Sequence, residues 1–320
     1  MARKYPKGKA PVQEIDLEDD GALPPSGTEI RRGIIRKCIG GFYYVEAADA
    51  VYQCRARGIF RKQGITPVAG DRVVISVLAD GEGSLDGIEE RKNRLIRPPV
   101  ANLDQLAVVA SAAEPSPNAL VMDIMIALAE KNRIEPLVVI NKADLQDPGE
   151  WVRLYQSAGF LVFPVSARSC AGLEPLRRAL TGKVTAFTGN SGVGKSSLLN
   201  ALNPCFQRET GAISQKLGRG RHTTRVTELL ALEGGGYIVD TPGFTSLDLE
   251  RTQRIDREEL AYCFREFRPF LGHCRFSDCS HRKEIGCAML EALEQGKIPR
   301  QRYESYAAIY EEIKDWKEWN

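Results

Sequence analysis

The run Gly189-Asn190-Ser191-Gly192-Val193-Gly194-Lys195-Ser196 fits the spacing G-x-x-x-x-G-K-[ST]. Residue types in that order suit the chemistry of gripping phosphate. Glycines let successive backbone N–H groups turn inward around phosphate oxygens. Lys195 supplies a positive charge at the outer phosphates, and the Ser196 hydroxyl is a Mg²⁺ ligand of the expected kind. The strand-like VTAF precedes the loop and the helix-like SLLNAL, beginning with Ser197, follows it. That is the context the pattern requires, and the start of the helix adds its own positive end. A Gly-rich turn with a surface lysine would not need such flanks.

Three further stretches carry matching chemistry. Asn141-Lys142-Ala143-Asp144 closes the apolar run PLVVI. A carboxylate at Asp144 can accept two hydrogens from the N1–H and N2–H₂ edge of guanine, and adenine offers no such pair. Lys142 and Asn141 would brace the ring and the loop. Ser166-Ala167-Arg168, also at a strand end, would present a backbone N–H to the base oxygen. Asp240-Thr-Pro-Gly243 follows the strand YIV. There the Asp can hold Mg²⁺ through water and the Gly N–H can meet a γ-phosphate, so that loss of the phosphate releases the loop. The threonines of GRGRHTTR, Thr224 ahead of Thr223, are the remaining Mg²⁺ candidates. Together these favour GTP over ATP. The alternatives are an ATPase with a degenerate base site and a nucleic-acid-binding module that holds nucleotide and scarcely hydrolyses it.

A second cluster suits a metal. Cys274-x₄-Cys279-x-His281-x₅-Cys287 offers three thiolates and one imidazole, the set of a closed tetrahedral structural zinc site. His273 is an alternative ligand. No open coordination position remains for catalysis. A chain end with little core gains from such a staple.

The elements that must position these groups fall into four segments. Residues 1–28 combine basic residues, the acidic stretch Glu14–Asp20 and LPPSG, with little to bury, and read as a disordered tail. Residues 29–97 alternate in short β-rich runs broken by Gly or Asp. They suggest a small closed barrel of the oligonucleotide-binding (OB) fold. RPPVAN (97–102) reads as a stiff hinge. From 98 to 249 buried strands alternate with amphipathic helices, the pattern of a parallel α/β sheet with its active loops at the strand C-termini. Residues 250–320 turn helical around the Cys/His cluster.

Bulk composition narrows the class less than the motifs do. With 44 Lys+Arg against 42 Asp+Glu among 320 residues, net charge gives no hint of nucleic acid, so only a local patch could. No apolar run approaches the length of a bilayer, and no apolar core follows the basic start, so a cytoplasmic, membrane-free chain is expected. In that compartment the eight cysteines should not form a disulfide frame.

The nucleotide motifs run in an unusual order: base reader, SAR loop, phosphate loop, threonines, DTPG. A circular permutation of the usual order explains this simply, because strand-end loops survive rejoining of the connections. NKAD, GNSGVGKSSLLN, GRGRHTT, DTPG and the C-terminal Cys/His set together resemble the circularly permuted ribosome-assembly GTPases, the RsgA/YjeQ family, over roughly residues 30–300.

The resemblance implies an OB-fold barrel, a permuted P-loop GTPase domain and a helical zinc module. It also implies a monomer that binds the small (30S) ribosomal subunit and its rRNA late in maturation. Such a factor hydrolyses GTP to GDP slowly alone, faster on the subunit, and leaves after hydrolysis. The residue after the DTPG glycine, Phe244, cannot orient water as a Gln there would. The resemblance points to His222 as the catalytic substitute, with a contact to rRNA as the rival role. Arg219 and Arg221 are more often RNA contacts than catalytic groups.

Residues 31–62 hold eight basic residues, Arg31, Arg32, Arg36, Lys37, Arg55, Arg57, Arg61 and Lys62, against Glu46 and Asp49, interleaved with Phe42, Tyr43, Tyr44 and Tyr52. Taken alone, that stretch divides evenly between RNA contact and rings that fill a barrel. The resemblance favours RNA. In the permuted order DTPG feeds almost directly into the zinc module. A γ-phosphate-dependent loop there could pull on a ribosome-facing domain.

Overall fold

A computed structural model describes residues 29–48, 50–77, 82–203, 227–240 and 255–314, Asp240 by its backbone alone. His222, Thr223, Thr224, Arg219, Arg221, Gly243, Phe244 and the tail 1–28 lie outside the described residues. The chain divides into two compact units, residues 1–92 and 93–320.

The first unit is a five-stranded barrel. Its strands are β1 (Glu29–Ile39), β2 (Phe42–Ala47), β3 (Ala50–Ala56), β4 (Arg72–Val77) and β5 (Gly83–Ile88), with a short helix α1 (Gly58–Lys62) between β3 and β4. They pair in the order β1-β2-β3-β5-β4, and β4 returns to β1 to close the wall. Closure removes the free sheet edges, and this strand set is OB-like. Period-two alternation fills the interior with Ile35, Val45, Ala47, Cys54, Val73, Ile75 and Leu85, and Phe60 of α1 joins them.

The same alternation splits the aromatic residues. Tyr43 and Tyr52 pack against the barrel core. Phe42 and Tyr44 lie on the other face of β2, with the Arg55 guanidinium 4.8 Å from the Phe42 ring centre and the Lys37 ammonium 5.4 Å from that of Tyr44.

The second unit opens with a small hairpin, β6 (Arg94–Leu95) and β7 (Val100–Ala101), so the RPPVAN stretch forms its turn and second strand rather than a free linker. The Asn93 carboxamide fixes its base by bonding both N and O of Leu103. A sheet follows, built from β8 (Gln105–Ser111), β9 (Glu135–Asn141), β10 (Leu161–Pro164), β11 (Val184–Thr188), β12 (Glu228–Ala231) and β13 (Tyr237–Asp240). Its order is β10-β9-β8-β11-β13-β12, parallel except for β12. The helices between are α2 (Ala119–Lys131), α3 (Gly149–Ser157), α4 (Leu173–Leu180) and α5 (Lys195–Leu202).

Alternate residues of β8 face opposite layers. Ala107 and Val109 meet Leu173, Leu176 and Leu180 of α4 and Leu198 of α5. On the other side Val108 shares a lining with Met122 and Met125 of α2. Each such leucine contributes about 1.5–3 kcal/mol by burial. Truncating Leu176 to Ala would cost about 2–5 kcal/mol through the cavity it leaves.

The chain moves outward from β8 through β9 to β10, then returns to add β11 on the other side of β8. That reversal makes a crevice at the carboxyl ends of β8 and β11, the place where parallel α/β sheets bind ligands.

The C-terminal part belongs to the same unit. It comprises α6 (Arg257–Leu260), two 3₁₀ turns (Ala261–Cys263 and Arg265–Phe270), the Cys/His loop, α7 (Ala288–Glu294) and α8 (Arg300–Ile313). Arg302 of α8 is fully buried and pairs with Asp123 of α2 and, at 2.6 Å, with Glu266. Its guanidinium lies over the ring of Phe264, 4.6 Å from the centre, and Tyr155 donates a hydrogen bond to Asp123. Burial raises the Asp123 carboxyl above its ordinary range, and the adjacent Arg302 charge opposes that rise. No helix among the described residues is long and apolar enough to cross a membrane.

Candidate functional site

Parallel strands deliver their following loops to one end of a sheet. β9 ends at Asn141, β10 leads to Ser166 and β11 to Gly189, so NKAD, SAR and the phosphate loop share one rim. The backbone of Asp240 ends β13, which pairs with β11 in the register Ala186↔Val239. Asp240 therefore sits at the same end, one strand over.

Asn141 is buried and ties three loops. Its Nδ2 donates to Val193 O at 2.9 Å, and its Oδ1 accepts from Ala167 N at 3.0 Å. Lys142 takes a left-handed backbone (φ 61°) and its ammonium donates to the carbonyls of Gly192, at 2.8 Å, and Glu114. The lysine thus braces the phosphate loop against the loop that follows β8. Ser166 Oγ accepts from Ser169 N, rounding off the SAR turn.

Two glycines of the phosphate loop are required by space. A Cβ on Gly189 (φ 147°) would lie 2.1 Å from Val109 O, and one on Gly194 (φ 89°) 2.5 Å from the Asn141 carboxamide nitrogen. Gly194 is also the residue that precedes α5. Lys195 curls over the loop, donating to Gly189 O and, at 2.9 Å, to Asn190 O. Burial lowers its pKa from the ordinary lysine value, so an anion beside it is favoured.

Asp144, Lys142, Leu145, Ala167, Arg168 and Ser197 line a cleft of about 400 Å³. The exposed Asp144 carboxylate and the start of α5 thus face one space. Ser191, Ser196 and Ser197 are exposed, and Val193 is buried under the loop. The room is of the size that small-molecule sites occupy.

The second centre lies in the C-terminal part. One ligand atom from each of Cys274, Cys279, His281 and Cys287 falls within 4.8 Å of the others. Cys274 Sγ is 3.4 Å and Cys287 Sγ 3.6 Å from His281 Nδ1, and the two sulfurs are 3.9 Å apart. A tetrahedral zinc with Zn–S near 2.3 Å sets its ligands roughly 3.5–3.8 Å apart, so these residues fit the ion. The exposed His273 is not in the group. Burial raises the Cys279 and Cys287 thiols and lowers His281, which keeps the protein groups neutral until a cation supplies the charge.

On the barrel, Phe42, Arg55, Arg57 and Arg61 line a cleft of about 630 Å³. Arg57 is held at 2.9 Å by the buried carboxylate of Asp86. Sequence reasoning found the basic residues and rings there but not Asp86, whose partner lies across strands.

Sequence reasoning also missed Arg302, Asp123, Glu266 and Glu284. One signal was present: Asp123 interrupts the apolar face of ALVMDIMIALA, and Arg302 stands in step with Tyr306, Ile309 and Ile313 on the buried face of α8.

Comparison with known proteins agrees with this arrangement. The model of the RsgA GTPase family matches residues 88–250, and that of the RsgA N-terminal domain residues 32–85. The small ribosomal subunit biogenesis GTPase RsgA of Caldanaerobacter subterraneus subsp. tengcongensis is 45% identical over 287 residues, 89% of this chain and 96% of that protein. The protein of the same name from Geobacillus sp. (strain WCH70) is 46% identical over 291 residues, 89% of this chain and 98% of its own length. Among solved structures, YjeQ from Thermotoga maritima superposes with a TM-score of 0.77 at 36% identity, covering 90% of this chain and all of that one. YloQ, described as a circularly permuted GTPase, gives 0.76 at 37% identity over 93% of this chain and all of that one. Motif order, sheet topology and these likenesses point the same way: the chain belongs to the RsgA GTPase family and is a GTP-hydrolysing enzyme.

Proposed function

We propose that this GTPase works on the small ribosomal subunit during its late assembly, contacts rRNA through its barrel, and leaves once GTP is hydrolysed. The observation that carries the nucleotide half is the Asn141 carboxamide, which bonds the phosphate loop and the SAR loop at once. A base held by Asp144 beside the SAR loop and phosphates held by the 189–196 backbone then belong to one ligand. In this reading Lys142 covers one face of the base and Lys195 draws in the outer phosphates. Mg²⁺, held by Ser196, by Thr224 or Thr223 and through water by Asp240, would supply charge between the β- and γ-phosphates. His222 orients the attacking water, since Phe244 cannot. In the sequence it follows Arg219 and Arg221, basic residues that suit activation by the subunit. The names of the relatives and the outward Phe42–Arg55 and Tyr44–Lys37 pairs support the rRNA contact. Zinc at Cys274, Cys279, His281 and Cys287 is structural.

The test is GTP turnover with and without purified small subunits, beside subunit binding in GTP analogue and in GDP. Slow basal turnover that rises on the subunit, with binding favoured by the analogue, is expected. Unchanged turnover with equal binding in both states would leave a nucleotide-holding RNA-binding module instead.

A further inference from the structure

The metal loop folds around one carboxylate. Glu284 Oε1 accepts from Ser280 N at 2.7 Å and from the Ser280 hydroxyl. Its Oε2 accepts from Arg282 N at 2.9 Å and Lys283 N at 3.0 Å. These donors bracket His281, which holds a left-handed backbone at φ 60°. A non-glycine residue in that region persists only where the surroundings impose it. Glu284 imposes it from within the turn. From α8, Tyr303 donates to His281 O at 3.0 Å and Tyr306 to Ser280 O at 2.9 Å. The result is a buried imidazole whose Nδ1 stands 3.4 Å from Cys274 Sγ.

Glu284 is not part of the ligand cluster itself. Both of its oxygens are engaged by the turn, which leaves it the role of an organiser.

We propose that Glu284 is the positioning residue of the metal centre, fixing the Ser280–Lys283 turn in the shape that brings Cys279 and His281 to Cys274 and Cys287 before a cation arrives. The proposal rests on the zinc reading. It carries a specific chemical consequence. Each carboxylate oxygen receives two donors, so glutamine is not a conservative replacement. An amide whose NH₂ faces Arg282 N and Lys283 N loses both of those bonds; turned the other way it loses the Ser280 N bond, and only the Ser280 hydroxyl can rotate to accept.

The test is zinc affinity of the full chain, measured by competition with a chromophoric chelator at fixed pH and well below the melting temperature. Glu284→Ala and Glu284→Gln should each lower affinity by about 10–100-fold, the range found when groups that orient metal ligands are removed. Ser280→Ala and Tyr303→Phe each remove one bond and should lower it roughly three- to tenfold. If Glu284→Ala does not fold, these two milder variants carry the test. A wild-type chain that binds no zinc would end the metal reading itself. Wild-type binding with all folded variants within twofold of it would overturn the positioning role alone. Glutamine at wild-type affinity beside a weakened alanine variant would also overturn it, because the paired acceptors would then not set the shape.

Discussion

The Asn141 carboxamide nitrogen lies 2.9 Å from the carbonyl oxygen of Val193, a residue 52 positions further along the chain. In an unpermuted chain the phosphate loop would precede the base reader; here it follows, and one buried side chain still joins them. Strand order in space, rather than motif order in sequence, is what the nucleotide chemistry requires.

Asn141→Ala removes both bonds of that side chain and leaves Val193 O and Ala167 N short of a partner. At about 1–3 kcal/mol for an unsatisfied buried group, GDP affinity should fall roughly 10–100-fold. Titration with a fluorescent GDP analogue reads this, with circular dichroism to check the fold. Affinity within threefold of wild type would show that the three loops hold their places without the carboxamide.

Asp144→Asn replaces two-fold acceptance with an amide. GDP should bind at least about 100-fold more weakly, because donors of the guanine edge lose their charged partner. Xanthosine diphosphate, which carries an oxygen where guanine has its amino group, should lose less or gain. Equal losses for both nucleotides would argue that Asp144 does not touch the base.

Arg302→Ala strands Asp123 and Glu266 in a dry interior. Breaking a buried ion group in this way costs about 3–5 kcal/mol, a drop in melting temperature of order 10 °C for a unit of this size. The combined exchange Arg302→Met, Asp123→Leu and Glu266→Leu should recover most of it. Calorimetry of the two variants decides the matter; an equal deficit in both would mean that the loss is one of packing rather than of charge.

Thiol labelling offers a check on burial. Burial pushes Cys54 up to about 11, with Asp86 adding to the rise, and Cys263 up to about 12, with Glu259 adding to it. At pH 8 each holds well under about one per cent thiolate, the reactive form. Cys170 is exposed. Under native conditions a maleimide should mark Cys170 well before Cys54 and Cys263, as peptide mass spectrometry would read. Comparable rates at all three would show that the barrel and the C-terminal core open readily.

What could be read from the sequence is what local geometry dictates. Gly189 and Gly194 are legible because no other residue fits beside Val109 O and the Asn141 amide. The barrel is legible because Val45 and Ala47 alternate with Phe42-side residues at period two. The α/β sheet and its permuted order follow from β9 and β11 ending at motifs of known polarity. Arg302 and Asp123 were not legible as partners, since 179 positions separate them and neither carries a local mark beyond a charge on an apolar face. Glu284 is hidden for the opposite reason. It sits inside the Cys/His loop, where the ligands draw the eye, and its four bonds depend on the left-handed turn at His281. RPPVAN read as a hinge because its prolines are conspicuous; the Asn93–Leu103 clasp that makes it a hairpin is invisible to composition.

Arg302 also bears on how small this enzyme can be made. A chain trimmed just after the DTPG motif would keep every nucleotide motif yet bare a carboxylate on the inner flank of α2, facing emptied space. Anyone cutting out a minimal GTPase would have to repaint Asp123 as an apolar residue, or carry α8 along as a cork.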